Sequence, residues 1–149
     1  EIVSDPAGHN TKALELLAPM EAGDGDLSFA AGDLRRSIHK NVESRFKAIT
    51  WMKDNGYPLE ALASLETLAD SVEDHEDFTA RATELAAAIE GDDNEAELDA
   101  AGAMAKIEKA IAKSGADEKV AKKLQKLAEK HSGTKVAERA SKLAKLILS

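Results

Sequence analysis

Apolar residues recur at intervals of three and four along most of the chain, the spacing that gathers them on one face of an α-helix. In "TKALELLAPM" this spacing aligns Leu14, Leu17 and Ala18 and predicts a helix over 10–20, with Pro19 helping to end it. Residues 21–33, "EAGDGDLSFAAGD", are rich in glycine and aspartate and read as a loop with at most one short turn. Asp33 then reads as the N-cap of a long helix over 33–55, whose stripe is Leu34, Ile38, Val42, Phe46 and Ile49, with Trp51 and Met52 on its flank. Asn55-Gly56 stops that helix, and Pro58 suits the first turn of the next, over 58–72, with Leu59, Leu62, Leu65, Leu68, Ala69 and Val72. The acidic stretch "EDHED" leads into a helix over 77–90 that turns Phe78, Ala82, Leu85 and Ile89 inward. Gly91 ends it, and three further helices are predicted over 94–113, 118–131 and 135–148. In the first of these, Leu98, Ala101, Met104, Ala105, Ile107, Ile111 and Ala112 give a broad apolar band. Asp117 is placed to cap the second.

The fold class is therefore all-α, with about seven helices. Composition agrees: the chain is 43% hydrophobic, but much of this is alanine, and only Phe29, Phe46, Trp51, Tyr57 and Phe78 are aromatic. Small side chains make a thin core and require helices to approach closely.

The breakers also recur. Gly32-Asp33 and Gly91-Asp92 each precede a long helical pattern, and Gly56 and Gly115 each follow 24 residues after the glycine, so the shift is 59 both times. At that shift "SLETLAD" (64–70) aligns with "KLQKLAE" (123–129), and after a one-residue slip "RATELAAAI" (81–89) aligns with "RASKLAKLI" (139–147). "KALELLAPME" at the start resembles "RATELAAAIE". These matches point to two copies of a three-helix unit, 32–90 and 91–149, after an N-terminal helix and Gly/Asp-rich loop over 1–31, in one structural domain. Units that cannot bury their own stripes lend them to neighbours, giving a short α-solenoid or a compact bundle.

Charge is unevenly spread. The net charge is −8, but residues 1–102 hold 23 acidic and 8 basic side chains, whereas 103–149 hold 5 acidic and 12 basic. The basic end carries no arginine cluster and no aromatic residue for base stacking, so it reads as the lysine face of amphipathic helices and not as a nucleic-acid arm. With no cysteine, disulfides, thiolate metal sites and thiol catalysis are excluded. No apolar run approaches the roughly 20 residues that span a bilayer. A chain that opens on Glu1 without an initiator methionine reads as processed or as a piece of a longer protein.

Four histidines, His9, His39, His75 and His131, fall in four separate segments. His39 has Arg35 and Glu43 at helical spacing, of which only the glutamate could ligate a metal, and reads as a histidine in a salt-bridged helix. Neither "VEDHEDF" around His75 nor "GDGD" at 23–26 has the ligand spacing of a calcium loop. No catalytic residue, cofactor or metal is expected. Trp51 and Tyr57 are the one concentration of large aromatics, either an anchor for a protein partner or a plug at the corner between two helices.

"GYPLEAL" (56–62) and "HSGTKVAERASKLAKLI" (131–147) resemble tetratricopeptide-like helical hairpins of bacterial envelope proteins, over roughly 56–149. The period differs, 59 in place of about 34, and Ser132 stands where such hairpins carry proline. The resemblance implies a protein-interaction role without enzymatic activity, in a periplasmic or secreted setting, although a cytoplasmic one stays open. The expected function is a helical-repeat interaction or scaffold module of a larger exported protein. Two other readings stay open: a structural subunit that self-associates through its acidic and basic parts, and a small ligand or metal binder with a pocket between helices.

Overall fold

The computed structural model describes residues 10–73 and 75–149. Expectations that fall on Glu1, His9 or Asp74 lie outside them. The described residues form α1 (Asn10–Glu21), α2 (Asp26–Asp54), α3 (Pro58–Ser71), α4 (Glu76–Glu90), a 3-10 turn (Asp92–Asn94), α5 (Glu95–Ser114), α6 (Glu118–Lys130) and α7 (Lys135–Leu148). The fold is all-α, with seven helices and no strand among the described residues.

The predicted loop over 21–33 is shorter than expected, and Asp33 is no N-cap. Helix α2 starts at Asp26, an acidic residue at the positive end of the helix dipole. Gly25, at φ +91°, makes the turn, and Ser28 Oγ donates to the Glu21 carbonyl oxygen at 2.7 Å. Gly32 is buried within the helix, where an added Cβ would stand 3.4 Å from the Glu21 carboxylate. That distance is ordinary van der Waals contact, and Glu21 reaches on to Arg35 at 2.7 Å. Asp33 is exposed and pairs with Arg36.

By contact, the described residues fall into two compact units: those up to 49 with 63–86, and 50–62 with 87–149. The first unit buries Leu14 and Leu17 of α1, Ile38, Val42, Phe46 and Ile49 of α2, and Leu65, Leu68 and Phe78 further on. Asn10 Nδ2 donates to Ser71 Oγ at 3.2 Å, and Ser71 Oγ donates to the Leu68 carbonyl oxygen at 2.8 Å, so this buried hydroxyl is paired in both directions.

The second unit is built on α5, α6 and α7. Its core is Ala100, Ala101 and Met104 against Val120, Leu124 and Leu127, closed by Val136, Ala140 and Ala144. Four of these nine are alanines, which lets the helix axes come close. Asp117 caps α6 by accepting from Val120 N at 2.8 Å, as its position predicts. Helix α7 is capped twice: Thr134 Oγ1 accepts from Ala137 N, and the Glu97 carboxylate from α5 accepts from Lys135 N and Val136 N, both at 2.8 Å. These bonds satisfy orphan donors at the α7 N-terminus and fix its angle to α5.

Not all the leucines of α7 turn inward. Val136, Ala137, Ala140 and Ala144 hold the buried stripe, which leaves Leu146 and Leu148 exposed.

Candidate functional site

The end of α2 in the second unit is shaped by its stop signal. Tyr57 N donates to the Met52 carbonyl oxygen at 2.9 Å, the long bond of a helix-terminating glycine motif, with Gly56 at φ +81°. Two features require glycine here. The left-handed conformation disfavours a side chain, and a Cβ would stand 2.7 Å from the Lys135 carbonyl carbon and oxygen. The turn therefore sits directly against the first residues of α7.

Arg139, one turn into α7, locks this approach. Its guanidinium donates to the Gly56 carbonyl oxygen at 3.1 Å, pairs with Glu108 of α5, and lies 3.6 Å from the centre of the Tyr57 ring. A planar cation held by a carbonyl, a carboxylate and an aromatic face has little freedom left. On the turn itself, Trp51 stacks beside Tyr57, with ring centres 5.9 Å apart and planes 22° from parallel.

Trp51 does not plug a corner. It is 58% exposed and forms one wall of an open groove of about 590 Å³, with Tyr57, Lys142, Leu143 and Leu146 on the other sides. Leu146, 71% exposed, extends the apolar wall. Most charged groups at the rim are already paired: Lys135 with Glu138 at 3.0 Å, Lys53 with Asp54 at 2.6 Å, Arg139 with Glu108. Among the described residues Lys142 has no ion-pair partner, so the groove offers apolar surface beside one available ammonium group. A second depression, about 730 Å³ between α6 and α7, has Gln125, Glu129, Ser132 and Lys145 in its lining and no large apolar side chain.

Sequence reasoning picks out Trp51 and Tyr57, and the fold brings both to the groove. It does not pick out Arg139, Lys142, Leu143 or Leu146, which lie some 80 residues further on. The alignment of Arg81 with Arg139 is the one signal that singles out the arginine.

The other sequence candidates gather in the first unit. His39 of α2 meets His75 edge-on, with ring centres 5.6 Å apart, and both contact Phe78, on which His75 stacks at 4.3 Å. Burial pushes His39 below the ordinary histidine value; His75 and Arg35 add to this, and Glu43 opposes it. His75 Nδ1 is buried without a hydrogen-bond partner. Glu43 accepts from Arg81 at 2.6 Å, and this bond, helped by the arginine's charge, holds its carboxyl below the usual carboxylate range. Among the described residues no three His, Asp or Glu side chains converge as metal ligands. His131 follows the end of α6, its N–H bonded to the Leu127 carbonyl oxygen.

Among the described residues no helix is long and apolar enough to cross a membrane. Compared with family models, curated proteins and solved structures, the chain finds no match.

Proposed function

We propose that this chain is a non-enzymatic helical-repeat module that binds a protein partner through the Trp51 groove. The observation that carries this reading is the placement of the chain's one tryptophan, exposed and stacked on a tyrosine that Arg139 holds rigid. Tryptophan and tyrosine dominate interface centres because they offer large contact area at little entropic cost, and the rigid support lowers that cost further.

The order of elements supports the repeat. Helices α3 and α4, of 14 and 15 residues, are followed after α5 by α6 and α7, of 13 and 14. Arg81 and Arg139 occupy matching places in the aligned segments and make matching bonds, each to a glutamate and an aromatic face. The tetratricopeptide-like resemblance agrees with an interaction role. Stacked repeats present continuous faces that suit protein recognition.

The test is capture from an extract of the source cells by the immobilised chain, with Trp51→Ala in parallel. A partner held by the natural chain and lost with Trp51→Ala is expected. Identical capture by both, or none by either, contradicts the reading. The uneven charge favours a second reading, in which the partner is another copy of the chain.

A further inference from the structure

The groove asks for an apolar side chain with a carboxylate next to it, and the chain itself carries such a knob. At the α1–α2 turn, in the first turn of α2, Leu27 is 70% and Phe29 73% exposed, and Phe29 is the most exposed aromatic side chain among the described residues. Asp24 and Asp26 lie immediately before them, and neither has an ion-pair partner among the described residues. The knob is formed and not slack: Gly25 makes the turn at φ +91°, and Ser28 Oγ and Phe29 N bond back across it. It presents apolar surface flanked by unneutralised carboxylates, where the groove presents apolar surface flanked by the unneutralised Lys142.

Resting on the groove as binding face, we propose that its occupant is the α1–α2 turn of a second copy, Phe29 seated against Trp51 and Leu146, with Asp24 and Asp26 towards Lys142. The charge of the chain points the same way, because the turn lies in the part with 23 acidic against 8 basic residues and the α7 side of the groove in the part with 5 against 12. Docking one patch on a different patch is a head-to-tail contact, which adds copies until a ring closes or a chain grows. An interface this small belongs to the weak class, below about 1,200 Å² of buried surface. The carboxylates and the lysine set its salt dependence, since exposed charges are screened within about 3 Å at 1 M salt but act over about 30 Å at 0.01 M.

Two variants separate the halves of the contact. Phe29→Asp keeps the groove and spoils the knob; Trp51→Ala keeps the knob and spoils the groove. Both residues are exposed, so both variants should fold, as circular dichroism will show. Sedimentation from about 1 μM to about 1 mM covers the weak affinities expected. At low salt the natural chain should gain mass with concentration, and each variant alone should associate at least about tenfold more weakly, as for loss of an interface centre. An equal mixture should form a two-chain complex and stop there, because one good knob and one good groove remain. Tryptophan emission in the mixture then comes only from the Phe29→Asp chain and should shift to the blue as its groove fills. A natural chain that stays monomeric throughout overturns the proposal, as does a variant that associates like the natural chain or a mixture that fails to pair. None of these results decides whether a foreign partner binds at Trp51, which the capture experiment reads separately.

Discussion

Arg81 and Arg139 stand at matching places in the aligned segments "RATELAAAI" and "RASKLAKLI", and each ties its helix to a glutamate and an aromatic ring. In the first unit Arg81 lies 4.3 Å from the centre of the Phe46 ring and pairs with Glu43. Phe46 is fully buried, and the arginine forms a lid over a closed core. In the second unit Arg139 lies on Tyr57, whose other neighbour is the exposed Trp51. One device thus gives two outcomes. Where the ring belongs to a core stripe, the arginine seals it; where the ring belongs to a turn, the arginine stiffens a surface that stays open.

The sharpest way to break this contrast is at Gly56. Gly56→Ala puts a Cβ into the left-handed region and against the α7 backbone at 2.7 Å. It should cost about 3 kcal/mol, the sum of backbone strain and overpacking, read from the denaturant midpoint. A cost below about 0.5 kcal/mol, the range of ordinary surface changes, would mean that the turn does not need its close approach.

Next come the arginines themselves. Arg139 and Glu108 have side chains 18% and 33% exposed, against 42% for both Arg81 and Glu43. Arg139→Ala should therefore destabilise by about 2 kcal/mol, losing a shielded ion pair, a carbonyl bond and a ring contact. Arg81→Ala should cost about 1 kcal/mol or less, because exposed pairs are screened by water. Equal costs would erase the distinction.

The first unit should also be the acid-sensitive one. Its folded form holds His39 below the ordinary 6.5, so the unfolded chain takes up that proton first as the pH falls. The contribution of His39 is intact above 6.5 and is lost as the pH drops from there towards its lower folded value. Glu43 acts lower down: its contribution is present above 4.5 and is lost as the pH falls through its folded value beneath that. In urea titrations across pH, His39→Gln should flatten the upper part of this decline. An unchanged slope would show that the His39 site does not drive it.

The smallest expected change in stability is at Trp51. Trp51→Ala should alter the unfolding free energy by about 0.5 kcal/mol or less, as for exposed residues, while removing binding. A loss near the 3 to 5 kcal/mol of a core tryptophan would place its role in packing instead.

Most helix boundaries were legible because breakers mark them. Asn55-Gly56, Gly91, Ser114-Gly115 and Gly133-Thr134 end or start helices within a residue or two of where their chemistry places them. Gly32-Asp33 carried the same signal and misled, since a glycine inside a helix looks in sequence like one that makes a turn. In α7 the spacing of an Ala/Leu helix allows more than one stripe, and packing on α5 and α6 selects the alanine one. At the groove, two aromatics close together in sequence were visible. The partners that make it a groove were not, because Arg139 reaches Gly56 across 83 residues and periodicity says nothing about which helix end meets which turn.

The account turns on whether a second copy covers the Trp51 face, and collisional quenching of this single tryptophan reads it directly. At low salt, Trp51 of the natural chain should be readily quenched in dilute solution and become shielded as concentration rises, while in Phe29→Asp it stays accessible throughout. Equal accessibility of Trp51 in both chains at every concentration would contradict it.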